Sequence, residues 1–273
     1  MDSEYKPEPE PEPEPEMKSL SEIPGIILII SCNKHKETRL KEFTLINQEY
    51  NGWKVFIIIG NPELNTLYEI NNNMITIKCE DSYVHVMKKV VLSMKILFSM
   101  YKIQYGILRC GDDLVFNEDV LHRFTQSITS TNNPNYLGKI ANPMCITKYS
   151  KKIDYFIPHY FYTHQEDITN PYNGLQNMSL NTLLRLDEVP NIPYTGGVIF
   201  YVSLKSCNIL ICEMESVNWN IFNYNNNYGF TYIIEDIGIG YTLYKNNIFP
   251  QHCDLYSDIP NKTSIAYHTN KYK

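Results

Sequence analysis

The chain has no apolar stretch long enough to cross a bilayer. Its longest run, Ile26 to Ile30, is five residues, against the roughly 20 that a membrane helix needs. It has no cationic, apolar leader either. Its first residues are acidic and Pro-rich, the opposite of a secretory signal, so a cytoplasmic protein with no membrane span is expected. No C-x-x-C pair occurs among the seven cysteines, at positions 32, 79, 110, 145, 207, 212 and 253. That argues against a zinc site, and an odd count partly inside apolar runs fits a reducing compartment. There is no Lys/Arg run. The net charge of −6 is that of residues 1–16, which hold seven acids and one base; the other 257 residues hold 23 of each sign. A neutral body without a basic patch argues against a nucleic-acid partner held through phosphate contacts.

What is present suits a soluble globular protein: 43% hydrophobic and 20% charged residues in a chain of 273, enough for one large core or two small ones. Residues 7–16 are five Pro-Glu repeats, which repel one another and favour extended polyproline II. A disordered tail over 1–17 is expected, then a folded domain over 18–273 with ordered structure from near Ile23.

Ile26–Ser31 and Val55–Gly60 read as buried strands, and Met74–Cys79 alternates like a strand buried on one face. A short helix is expected over Glu37–Leu45. Asp81 or Ser82 is placed to cap a helix of about five turns, whose apolar residues Tyr83, Met87, Val90, Val91, Met94, Leu97 and Phe98 fall at helical spacing. Another strand runs over 105–110, with a further helix from Asn117. Tyr136–Gly138 reads as a short strand, and 139–192 is Tyr-, Asn- and Pro-rich with weak periodicity. Pro193–Ser203 makes a Gly-containing turn entering a strand, 204–215 reads as a helix, 219–230 as a loop, and Ile233–Tyr244 as a helix opened by two acids. Gly238 and Gly240 in that helix suggest a close backbone approach. Strands alternating with helices predict an α/β fold with a mostly parallel sheet.

The organising stretch is Tyr105-Gly-Ile-Leu-Arg-Cys-Gly-Asp-Asp-Leu-Val-Phe-Asn117, an apolar run that delivers Asp112 and Asp113 to its carboxyl end. Two readings fit these residues alone. The acids hold a divalent cation and a substrate's phosphates at the ligand-binding end of an open sheet, or they are solvated at a corner where Asn117 caps the next helix. Similarly, Asp236 reads either as a first-turn acid or as a base, His268 as a lone histidine or a metal ligand, and Lys89 as a side chain snorkelling from the helix or a ligand contact.

Taken in order, several stretches resemble glycosyltransferase family 31, the β-1,3-galactosyltransferase and fringe-like enzymes. Asp81-Ser-Tyr-Val-His-Val-Met-Lys-Lys89 is similar to that family's D-S-Y-x-N-L-T-x-K, and Arg109-Cys-Gly-Asp-Asp-Leu-Val-Phe-Asn117 to K-x-D-D-D-V-F-V-N. Tyr136-Leu-Gly138 resembles Y-x-G, and Pro193–Ser203 resembles P-Y-x-S-G-x-G-Y-V-L-S. Glu235-Asp-Ile-Gly-Ile-Gly240 is similar to E-D-V-x-x-G, and Ala266-Tyr-His268 to a late x-V-H. Val55–Gly60 and Ser31–Arg39 are more loosely similar to the family's early strand and Arg-containing turn, and together the stretches span about residues 26–268.

The resemblance implies a GT-A fold, with a mostly parallel Rossmann-like sheet and an irregular acceptor-binding half. It implies an inverting hexosyltransferase that uses Mn²⁺ (or Mg²⁺), a UDP-sugar donor and a glycan or glycoprotein acceptor. By position it makes Asp113, Asp112 and His268 metal residues, Asp236 the general base with Glu235 beside it, and Arg39, Lys89 and Asp81 nucleotide contacts. Tyr194 and Gly197 fall on the acceptor side. The chain departs from the pattern at Gly111, which replaces the first acid of the triplet, at Ile199 in place of a glycine, and at His85 in place of an asparagine. The departures leave two alternatives: a degenerate homologue that binds a nucleotide-sugar or glycan without turnover, and a scaffold whose tail recruits a partner.

Overall fold

The computed structural model describes residues 20–43, 45, 47–141, 165, 169–173, 192–215 and 235–268. The expected tail, most of the Tyr- and Asn-rich 139–192 stretch and the 219–230 loop lie outside the described residues. The fold is mixed α/β. No helix among the described residues is long and apolar enough to cross a membrane.

One large sheet carries the described structure. Its elements are β1 (Ser21–Ile30), β2 (Glu49–Tyr50), β3 (Trp53–Gly60), β4 (Tyr68–Asn71), β5 (Met74–Ile77), β6 (Tyr101–Gly111), β8 (Tyr136–Ile140), β9 (Thr195–Ser203) and β10 (Gln251–His252). The order is β10-β8-β9-β6-β1-β3-β5-β4, with β2 hairpinned onto β3. β1 explains why the sheet centres where it does. Its run Ile26-Ile-Leu-Ile-Ile30 has no polar face, so it must be buried on both sides. Ile26, Leu28 and Ile30 enter one core while Ile27 and Ile29 enter the other.

Four strands are parallel: β3 and β6 flank β1, and β5 lies outside β3. Numbered among themselves in chain order they run 3-2-1-4, so the winding reverses between β1 and β6. The element that makes this reversal is α1 (Val86–Met100), which leaves β5 and crosses back to β6. Its expected apolar stripe is real: Met87, Val90, Val91, Met94 and Leu97 are buried. Helices α3 (Leu204–Glu215) and α4 (Glu235–Lys245) join it on the same face. The other face is covered by α2 (Glu118–Ser127) and by a small sheet of β7 (Leu114–Phe116), β11 (Tyr256–Ser257) and β12 (Ala266–His268).

Several expectations needed correction. Beyond β6 the sheet is mixed, because β9 runs antiparallel to both β6 and β8. Gly196 and Gly197 lie within β9 instead of in a turn before it. The Glu37–Leu45 helix is replaced by two 3₁₀ turns, Asn33–His35 and Arg39–Glu42. Phe43 ends the second turn in an extended conformation and packs on Phe116, while Arg39 bonds Asp112 just past β6. Neither Asp81 nor Ser82 caps α1: a 3₁₀ turn, Tyr83–His85, intervenes. Asn117, in contrast, does cap α2, accepting from the N–H of Val120 at 3.4 Å.

Gly106 sits beside the register shift between β1 and β6. A Cβ there would overlap the backbone carbonyl of Val202 and the Cα of Ser203, neither of which can rotate away. Gly106→Ala is expected to cost about 1–3 kcal/mol, the usual price of overpacking, read as a lower urea midpoint at unchanged m-value.

Candidate functional site

The winding reversal leaves a crevice at the carboxyl ends of β1 and β6, the place where open α/β sheets bind ligands. Here it is a cleft of about 450 Å³. Its floor is the end of β6, where Asp112 and Asp113 follow Gly111.

Asp112 is buried and fully engaged. Its Oδ2 accepts from the Ser31 hydroxyl at 2.6 Å and bonds His35 Nδ1 at 2.7 Å, while Arg39 donates to Oδ1 at 2.9 Å. The residues after β1 therefore wrap over the end of β6 because a buried carboxylate demands partners. Burial alone would raise the Asp112 carboxyl, but the bonds from His35 and Ser31 and the nearby charges hold it at about 2. Burial likewise would depress His35, yet its bonds to Asp112 and Cys32 push it up to about 9. Asp112 is thus spent on the protein's own cations.

Asp113 is different. β12 pairs antiparallel with β7, placing His268 opposite Leu114. His268 Nε2 consequently lies 2.8 Å from Asp113 Oδ2, across 155 positions of sequence. Both side chains are about a quarter exposed, at 26% and 27%, with Arg39 3.9 Å from the carboxylate. Among the described residues no group of three or more His, Cys, Asp or Glu side chains could cage a metal. A carboxylate and an imidazole facing the cleft nonetheless fit a divalent cation that takes its other ligands from a substrate's phosphates and water.

The opposite wall is built from β9 and the start of α4. The Gly197 N–H donates to Asp236 Oδ2 at 3.2 Å, and Oδ1 accepts from the Ile237 N–H at 2.9 Å. Burial raises Asp236, with those two N–H groups opposing. Glu235 is buried against Arg109, whose NH2 lies 2.5 Å from Oε2. Burial dominates and pushes Glu235 up to about 7.

Of the residues expected to serve the site, Arg39, Asp112, Asp113 and His268 converge at one end of the cleft, and Gly197 and Asp236 at the other. Asp81 and Lys89 also line the cleft, but they are buried and paired with each other. The Lys89 ammonium also donates to the Ser31 carbonyl at 2.7 Å, and Asp81 Oδ1 accepts from the Gly60 N–H at 2.7 Å. Their pair ties the ends of β1 and β3 together. Burial pulls the Lys89 ammonium down, but Asp81 overrides it. Tyr194 lies outside the cleft wall. It packs on α4, where a Cβ on Gly240 would strike its own Cβ, so the close approach expected at that glycine is met. Ser31, His35 and Arg109 were not anticipated as site residues. Arg109 alone left a trace, as a charge inside an otherwise apolar strand.

No protein-family model and no curated protein matches this chain.

Two outcomes follow from these pairs. Lys89→Met leaves Asp81 buried without its cation and should cost about 3–5 kcal/mol of stability, where a residue reserved for a ligand would cost little. His35 binds its proton more tightly folded than at its ordinary value of 6.5. Its contribution is therefore complete below pH 6.5 and is lost as pH rises through about 9. The thermal midpoint of the wild type should fall across that window, and His35→Gln should flatten the fall.

Proposed function

We propose that the protein is a GT-A-like glycosyltransferase, moving a sugar from a UDP-sugar to an acceptor hydroxyl with inversion. The observation that carries this reading is the convergence of Asp113 with His268 at the winding reversal, in a cleft that a desolvated Asp236 also lines. The 3-2-1-4 strand order and the antiparallel β9 half support it.

Asp113 and His268 would hold Mn²⁺ or Mg²⁺, which when bound supplies positive charge beside the departing diphosphate. Arg39 reaches toward both acids and adds a fixed guanidinium at the same end. Transition-state charge on the leaving group is stabilised by such prearranged cations without reorganisation. At the far wall, Asp236 takes the acceptor's proton as the hydroxyl attacks the anomeric carbon. Burial raises its proton affinity, which strengthens it as a base. The Gly197 N–H fixes Oδ2 and the Ile237 N–H fixes Oδ1, so the carboxylate is oriented before the acceptor arrives. Direct displacement needs no protein nucleophile.

One observation favours binding without turnover as a second reading. With Gly111 in place of an acid and Asp112 engaged by Ser31, His35 and Arg39, Asp113, itself bonded to His268, is the acid left for a cation at the donor end among the described residues. A Cβ on Gly111 would come within 2.9 Å of Asp113 Oδ1, so restoring an acid there would displace Asp113.

The deciding experiment is a panel of UDP-sugars assayed for Mn²⁺-dependent UDP release. Release from at least one donor is expected; tight UDP binding with no release from any would select the second reading. Asp236→Asn should lower transfer by about 10²–10⁴-fold with UDP affinity unchanged, measured as initial rates beside calorimetric titration. Transfer at the wild-type rate would remove Asp236 from the chemistry.

A further inference from the structure

Arg109 joins three elements at the acceptor wall. Arg109 is buried, 6% exposed, and its guanidinium lies 5.7 Å over the ring of Phe200, its register partner on β9. NH2 pairs with Glu235 at the start of α4, and NH1 donates to the Gly197 carbonyl. The same Gly197 peptide donates its N–H to Asp236. Stability does not account for this arrangement. A buried ion pair roughly breaks even against a well-packed apolar pair of the same volume. This one is also incompletely satisfied, since Arg109 Nε and Glu235 Oε1 have no partner among the described residues. What the pair supplies is geometry: a charge on β6, three residues before Asp112, locked to the peptide that orients Asp236.

We propose that Arg109 is a positioning residue which, clamped by Glu235, holds the Gly197 peptide so that its N–H fixes the Asp236 carboxylate, and which places a permanent positive charge beside that carboxylate. The proposal rests on Asp236 acting as the base. It assigns Glu235 to the clamp instead of to the reacting atoms, and makes β6 the common frame of donor and acceptor ends.

Several groups face Asp236 from the elements around it. Tyr83 precedes α1, Tyr136 is on β8 and Tyr256 on β11. All three are phenols that burial raises, hence neutral at working pH. Glu235 is its neighbour on α4, with Lys89 of α1 acting on Glu235. Arg109 opposes the rise that burial imposes on Asp236. Removing that charge should therefore raise the proton affinity of Asp236 further and move the acid limb of its activity to higher pH.

The test uses the full chain with Arg109→Met and Arg109→Lys. The Asp236 carboxyl is titrated by carbon-13 NMR, which needs no turnover, and transfer is followed against pH. Arg109→Met should shift the Asp236 titration and the acid limb of kcat/KM upward together. Arg109→Lys keeps the charge but cannot make both bonds with a planar fork. It should leave the titration near the wild-type position while kcat falls about 10- to 100-fold, the loss of one charge-assisted hydrogen bond, at unchanged KM for the UDP-sugar. If the wild type transfers no sugar yet the titration moves in Arg109→Met, the functional reading fails and the clamp stands. An unmoved titration in folded Arg109→Met overturns the clamp. Should Arg109→Met not fold, Arg109→Lys decides: a wild-type kcat together with an unmoved Gly197 amide resonance overturns it.

Discussion

Two adjacent carboxylates at the end of a buried strand repel each other. At an effective dielectric constant of 20, unit charges 4 Å apart interact by about 4 kcal/mol, comparable to a large share of a domain's stability. The chain resolves the conflict by giving each acid a different environment. Asp112 is enclosed by Ser31, His35 and Arg39, which forces the residues after β1 into short 3₁₀ turns over the end of β6. Asp113 is left facing the cleft with His268. The difference between a structural acid and an available one is the basis of the whole site.

The same strand carries a second electrostatic problem three residues earlier. Arg109 enters the α1, α3 and α4 side of the sheet and is met by Glu235. β6 thus bears Arg109, with Asp112 and Asp113 immediately after its end. The Lys89–Asp81 pair adds a third buried ion pair, holding the ends of β1 and β3 on which the wrapped segment starts. Three buried pairs around one cleft are poorly explained by stability; what they supply is fixed geometry at the strand ends that line it.

Strands with apolar runs were legible in the sequence, because β1 and the core of β3 have no polar face to offer solvent and the end of β6 is apolar but for Arg109. Helix α1 was legible from its stripe and α4 from its opening acids. Strand direction was not: nothing in the pattern of Thr195–Ser203 distinguishes antiparallel from parallel. The turn Asn51-Gly52, with φ of 50° and 82°, is a strong hairpin signal, but the β2 it closes is two residues long and carries no alternating pattern of its own. At the site, the acids were legible and so were Arg39 and His268, whereas the Ser31 and His35 partners of Asp112 were not. His35 and Asp112 are 77 positions apart, and no local spacing encodes that meeting. The 3₁₀ segment looked helical because its polar residues have acceptable helix propensity; the buried charge of Asp112 overrides it.

The central claim is that the cleft binds a diphosphate through a cation held by Asp113 and His268. Calorimetric titration of UDP into the full chain, in Mn²⁺ and again in chelator, tests it most directly. The account predicts that Mn²⁺ tightens UDP binding by tenfold or more and that Asp113→Ala removes the dependence while the thermal midpoint is retained. Equal UDP affinity with and without Mn²⁺, or an intact Mn²⁺ dependence in Asp113→Ala, would contradict it.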